Sequence, residues 1–220
     1  MIKKSFELKS ENIKKNYFFL FYGQNEGLKN EIIEKIFKKN YSENIYNYEE
    51  NEILKNQEDF FNNILSGSFF ESEKLIIINR ATDKIKDIIE ELIEKEISGL
   101  VIILSAKTLE KKSKIRSLFE KNKKTVCVPF YEDSNQTLSG IISSFFRERK
   151  IPVSQQAINL IAERSRGDRQ NLKNELEKIG NFMTGKSKID LQDLLKLTNL
   201  AENYNVSELV DHCLAKNKKR

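Results

Sequence analysis

The sequence predicts an α/β module built on a parallel sheet, followed by an all-helical part. Three observations carry that reading. Short continuous apolar runs recur through the first 130 positions. Runs that do not alternate with polar residues belong to strands covered on both faces, as in parallel sheets. Between them lie segments with apolar residues at helical spacing, and strands alternating with amphipathic helices imply right-handed βαβ crossovers. The alternation stops near Tyr131, beyond which only helical periodicity is present.

Taken in order, Tyr17 to Tyr22 (YFFLFY) is the first buried strand and ends at Gly23. A helix over 26–39 follows, with Leu28, Ile32 and Ile36 on one stripe and Ile33 and Phe37 beside it. Ile45 to Tyr48 is a shorter strand, and 51–65 reads as one helix carrying Ile53, Leu54, Phe60, Phe61, Ile64 and Leu65. Leu75 to Ile78 (LIII) is the next buried strand. The segment 85–97 is helical, with Ile85, Ile88, Ile89, Leu92 and Ile93 at i, i+3, i+4, i+7 and i+8. Leu100 to Leu104 and Val126 to Phe130 are further strands, with a basic helix over 111–121 between them.

In the helical part, Leu138, Ile141, Ile142, Phe145 and Phe146 form one helix, which Ile151-Pro152 ends. Ser154 is placed to cap a helix bearing Ala157, Ile158, Ile161 and Ala162. Leu172, Leu176 and Ile179 follow Gly167-Asp168, and Asp190 precedes Leu191, Leu194 and Leu195. Asn205 with Glu208 reads as a capping-box variant before Val206, Leu209, Val210, Cys213 and Leu214. The expected organisation is an α/β module over 1–134, a helical domain over 135–200, and the first helix of a further domain over 201–220. That last stripe of five apolar positions has little chain after it to bury against.

Composition narrows the function. With 39% hydrophobic and 32% charged residues the 220-residue chain is too apolar for disorder and too polar for a membrane protein. No apolar run approaches the ~18 residues of a membrane-spanning helix, and the N-terminus lacks the apolar core of a signal peptide. Two cysteines, Cys127 and Cys213, lie far apart without CxxC spacing, which excludes a disulfide framework and a zinc knuckle and fits a reducing, cytoplasmic setting. The single histidine, His212, removes triads and two-His metal sites. The net charge of +5 comes from 38 basic and 33 acidic residues, with locally basic stretches only at 107–124 and 216–220. A composition rich in Lys, Asn and Ile accounts for it, as does weak attraction to nucleic acid.

The turn after the first strand, FYGQNEGLKNE, is where a phosphate-binding loop would lie. GxxxxGK[ST] supplies glycines so that backbone wraps phosphate, a lysine for charge and a hydroxyl for magnesium. Here three residues separate Gly23 from Gly27, and Leu28-Lys29 stand where Lys-Ser/Thr belongs. The LIII strand ends in Asn79-Arg80 rather than in the acid that would hold magnesium. The architecture is that of a nucleotide-binding domain without nucleotide chemistry, so no cofactor is expected. Acidic clusters at Glu49-Glu50, Glu90-Glu91 and Glu94 to Glu96 read as solvated charge paired with lysines at i+4. The Arg164, Arg166 and Arg169 cluster reads as surface or packing residues.

The order of these segments resembles the delta subunit of the bacterial DNA polymerase III clamp loader. The likeness rests on FYGQNEGLKNEIIEKI, SGSFFESEKLIII, LVIILSAKTLEKKSKIRSLFEK, TVCVPFYEDS, IPVSQQAINLIAERSRGDRQNLKNELEKI, IDLQDLLKLT and NVSELVDHCL, in that order. The resemblance implies an AAA+-like α/β module without a working ATP site, a helical lid domain, and a collar beginning near 201 whose greater part would lie beyond residue 220. It implies a non-enzymatic subunit of a DNA-directed DNA polymerase holoenzyme that binds and opens the ring-shaped beta sliding clamp during DNA replication. The implied partners are that clamp, the gamma/tau and delta prime subunits, and primed DNA, with no membrane. A small-hydrophobic-aromatic triplet that enters a clamp pocket corresponds to Ser68, Phe69 and Phe70, with Phe in place of the usual Leu. Gly67 would end the preceding helix as a C′ residue; the alternative for both phenylalanines is a place in the core. Lys111, Lys112, Lys114 and Arg116 become candidate DNA contacts. Two other readings stay open: an AAA+-like ATPase with a non-standard phosphate loop, and a basic DNA-binding protein using the 107–124 stretch.

Overall fold

The computed structural model describes residues 1–8, 17–41, 44–65, 73–95, 97–186, 188–197 and 214. They fall into two units, Met1–Glu132 and Asp133–Arg220. The first holds a five-stranded, wholly parallel sheet of β1 (Phe18–Gly23), β2 (Ile45–Glu49), β3 (Lys74–Asn79), β4 (Leu100–Ala106) and β5 (Thr125–Phe130). Its order is β2-β3-β4-β1-β5, so β1 lies between β4 and β5, with Tyr22 opposite both Ala106 and Pro129.

The unbroken apolar runs are explained by burial on both faces. Phe18, Leu20 and Tyr22 point to one core, together with Ile76, Ile78, Ile102, Leu104 and Cys127. Phe19 and Phe21 point to the other, with Leu75, Ile77, Ile103 and Val128. The first core is closed by α2 (Glu50–Lys55), α3 (Gln57–Leu65), α4 (Lys86–Glu94) and α5 (Lys114–Lys121). The second is closed by α1 (Glu26–Ile32), whose end continues as a π-turn over Ile33–Phe37 and a 3-10 turn over Lys38–Asn40. Ile32, Ile33 and Phe37 are all buried in this core. Phe37 packs edge-on to Phe19 and Phe21, with ring centroids 4.9 and 5.8 Å apart.

Besides the helix expected over 26–39, which is α-helical only over Glu26–Ile32, three helices differ from their expected spans. The segment 51–65 is two helices, because Asn56 leaves helical geometry and its side-chain amide donates to Asp59 at the start of α3. The segment 85–97 begins as a 3-10 turn over Asp83–Ile85 and is α-helical only over Lys86–Glu94. The basic helix starts at Lys114, since Ser113 is its N-cap and accepts from Arg116 N at 3.3 Å. Lys111 and Lys112 therefore lie in the turn before it.

The second unit contains α6 (Asn135–Glu148), α7 (Gln155–Arg164), α8 (Arg169–Phe182) and α9 (Leu191–Leu197) around Leu138, Ile142, Phe146, Ile161, Leu172 and Ile179. Side-chain caps open these helices: Ser134 accepts from Thr137 N, Ser154 from Ala157 N at 3.1 Å, Asp168 from Gln170 N and Asn171 N, and Asp190 from Asp193 N at 2.7 Å. The helix expected after Asn205, and with it the collar, lies outside the described residues apart from Leu214. Among the described residues no helix is long and apolar enough to cross a membrane.

Candidate functional site

β1 runs into the turn where a phosphate loop would sit. Gly23 leaves the strand at φ +129°, and a Cβ on it would stand 2.1 Å from the Phe130 carbonyl oxygen, so only glycine fits. Four of the amides that would converge on an anion in a phosphate loop are paired internally here. Gly23 N donates to the Lys107 carbonyl at 3.2 Å, Asn25 N to the Phe130 carbonyl at 3.4 Å, and Glu26 N to the Gln24 carbonyl at 2.9 Å. Leu28 N donates to Asn25 Oδ1 at 3.0 Å, while Asn25 Nδ2 donates to the Tyr131 carbonyl at 2.9 Å. Lys29 is fully buried. Its Nζ donates to the Ala106 carbonyl and to Glu26 Oε1, each at 2.7 Å.

The end of β3 carries no magnesium-holding acid. Arg80 follows Asn79 with φ +55°, and its exposed guanidinium lies 3.5 Å from the Glu49 carboxylate. Among the described residues no group of three or more His, Cys, Asp or Glu could hold a metal ion. One sequence expectation needs correcting. Glu50 is not solvated: it is buried, and its Oε1 accepts from Thr82 N at 2.6 Å and from the Thr82 hydroxyl at 3.0 Å. It ties the start of α2 to the loop after β3. Of the other acidic positions, Glu91 pairs with Lys95 at i+4 as expected, whereas Glu90 pairs with Lys86 one turn before it and Glu49 with Arg80; Glu96 lies outside the described residues.

Ser68, Phe69 and Phe70 lie outside the described residues, as does Gly67. Of the candidate DNA contacts, Lys111, Lys112 and Lys114 are exposed. Lys112 pairs with Glu110 at 2.9 Å. Arg116 turns inward: Nε donates to Glu120 Oε1 at 2.7 Å, Nη1 donates to the Leu109 carbonyl at 3.0 Å, and the guanidinium stacks 4.9 Å from the Tyr22 ring. Burial foremost, with the neighbouring Cys127 adding, pushes the Tyr22 phenol up to about 12, so a neutral ring lies beneath the cation. An open groove of about 510 Å³ runs between α4 and α5, lined by Lys86, Lys112, Lys114 and Lys121 together with Glu90, Ser117, Leu118 and Asn122, Glu90 being paired with Lys86. Lys86 and Lys121 were not among the expected contacts. Lys121 sits seven positions after Lys114, two helical turns along one face, which the sequence could have revealed.

The arginine cluster packs locally. Arg169 makes a two-pronged bridge to Asp133, and Arg164 Nη1 donates to the Leu195 carbonyl at 3.2 Å. A five-stranded parallel module in this strand order, followed by a helical unit, is an AAA+-like fold, here with a degenerate phosphate loop.

The family model for the DNA polymerase III delta subunit matches residues 19–130, just over half of the chain, and the chain belongs to that family. The Bacillus subtilis DNA clamp loader delta protein (YqeN) is similar in structure, with a TM-score of 0.56 and 13% identity. That match covers 95% of this chain and 66% of the other, so the chain spans just under two thirds of that protein's length. Thermotoga maritima RuvB is similar in fold. One point variant of it has a TM-score of 0.60 and 19% identity over 96% of this chain and 73% of that one. A second variant gives 0.60 and 16% over 87% and 65%. No curated protein sequence matches the chain.

Proposed function

We propose that the chain acts as a clamp-loader delta subunit, binding the ring-shaped sliding clamp of DNA polymerase III and holding it open for loading onto primed DNA. One observation carries this: a delta-family module whose phosphate turn has the amides of Gly23, Asn25, Glu26 and Leu28 paired within the protein, which favours a binding surface over nucleotide chemistry. The chain then contributes no catalysis of its own and needs no cofactor. Opening follows from differential affinity: a protein that binds the open interface better than the closed one shifts the ring toward opening. Its partners are the beta clamp, the gamma/tau and delta prime subunits, and DNA, in the cytoplasm. Clamp contact is assigned to Ser68, Phe69 and Phe70. The test is titration calorimetry of the purified chain against the purified clamp, with a saturable complex expected. No complex at micromolar concentrations would contradict the proposal.

DNA contact is assigned to the groove lysines rather than to Arg116, whose donors already serve Glu120 and Leu109. Phosphate contacts by Lys112, Lys114 and Lys121 displace counterions, so log affinity falls linearly with log salt. Replacing these three with alanine should flatten that slope by about 2–3. An unchanged slope would remove the groove from the account.

A further inference from the structure

We propose that Lys29 is a tethered cation standing in for the metal ion of a working phosphate loop, and that its charge holds the β1–α1 turn in one closed shape. Counting from the second glycine of GxxxxGK[ST], the lysine position is Leu28 and the magnesium-binding hydroxyl position is Lys29. The hydroxyl has thus been replaced by a side chain carrying its own positive charge. That side chain is completely buried, and its ammonium reaches the carbonyl of Ala106, the last residue of β4. Ala106 pairs with Tyr22 of β1, so the ammonium sits at the C-terminal ends of the two adjacent strands, at the sheet position where nucleotide and metal bind in open α/β folds.

A buried ammonium is costly unless paired and hydrogen-bonded. Glu26, one turn earlier on α1, supplies the opposite charge, and the strand-end carbonyl supplies a second acceptor. The rest of the turn is built around this point. Asn25 accepts from both Leu28 N and Lys29 N, and Gly23 N donates to Lys107, the residue after Ala106. The lysine therefore joins α1 to β4 just where a ligand would otherwise join them. The turn has one state with or without magnesium-ATP, and Lys29 is a positioning and specificity-determining residue that excludes the metal-nucleotide. The inference does not rest on clamp binding.

Amide hydrogen exchange over 23–29 tests it, in wild type, Lys29→Met and Lys29→Ala. Methionine keeps the apolar stem and removes the charge. If the charge holds the turn, exchange in Lys29→Met rises by roughly tenfold or more, as for loss of a hydrogen bond to a charged group. If stem packing alone suffices, Lys29→Met exchanges like wild type, and the proposal fails. In Lys29→Ala, n-propylammonium replaces the deleted atoms and should restore protection saturably, while sodium at equal ionic strength should not. Equal effects of the two salts, or none, would overturn the proposal. Magnesium-ATP should leave wild-type exchange unchanged, and added protection would likewise count against it.

Discussion

Arg169 grips Asp133 through two hydrogen bonds, Nε to Oδ2 at 2.8 Å and Nη2 to Oδ1 at 3.2 Å, with the two side chains only 14% and 7% exposed. The pair fastens the first turn of α8 to the residue just before Ser134, the N-cap of α6. Removing one partner of a buried pair leaves the other charged and unpaired. Arg169→Met should destabilise the protein by about 3 kcal/mol. Arg169→Lys should recover only part of this, because an ammonium cannot make the two-pronged contact. Urea denaturation measures both, and a loss below about 1 kcal/mol for Arg169→Met would show that the pair is not a fastening.

Asp83 should lend stability that depends on pH. Burial pushes its carboxyl upward, but hydrogen bonds from the Ser113 hydroxyl, at 2.6 Å, and from the Ile115 and Lys114 amides outweigh this and hold it below the ordinary 3.8. A carboxyl with a lowered folded value contributes stability above its unfolded value and loses it as pH falls through the folded one. The melting-temperature gap between wild type and Asp83→Asn should be full at pH 7 and should shrink steadily below pH 3.8. A gap of equal size at pH 3 and pH 7 would refute the linkage.

Gly23→Ala should be among the most damaging single changes in the first unit. The added Cβ meets backbone rather than a movable side chain, 2.1 Å from the Phe130 oxygen, at a φ that alanine avoids. Either β5 separates from β1 or the turn rebuilds, at a cost of roughly 2–4 kcal/mol. Thermal melting of the variant is the check, and a shift smaller than that of Gly140→Ala, where nothing lies within 4 Å of the new atom, would contradict the geometry.

The strands were readable because burial on both faces leaves no polar alternation, and LIII and LVIIL admit little else. The helical caps at Ser154 and Asp190 were readable because capping is local, three residues from cap to amide. What escaped depends on distant partners. Glu50 looks like surface charge until Thr82, 32 positions on, is brought against it. Lys29 looks like a failed motif residue until Ala106, 77 positions away, receives its ammonium. Arg116 looks like a free basic residue until Tyr22 comes beneath it. The break at Asn56 was hidden because the apolar spacing continues across it. For the candidate site, the degenerate turn was legible in Gly23 to Lys29, whereas the groove needed α4 and α5 side by side.

The chain should not hydrolyse ATP. The amides of Gly23, Asn25, Glu26 and Leu28 are paired within the protein, the Lys-Ser/Thr pair is absent, and Asn79-Arg80 replaces the metal-holding acid. Purified protein with magnesium-ATP, with and without primed DNA, should release phosphate no faster than a buffer blank. Saturable turnover abolished by changes within 23–28 would overturn this.

The clamp contact proposed for Phe69 and Phe70 is tested most directly by clamp affinity measured alongside thermal stability for Phe69→Ala, Phe70→Ala and the double variant. Losing a central aromatic anchor commonly costs more than ~2 kcal/mol, or ~30-fold in affinity. Exposed sites change stability by less than ~1 kcal/mol. The account predicts folded variants whose stability moves by less than that, while clamp affinity falls by ~30-fold or more for at least one single variant and further for the pair. A folded double variant that binds the clamp with near wild-type affinity would contradict it.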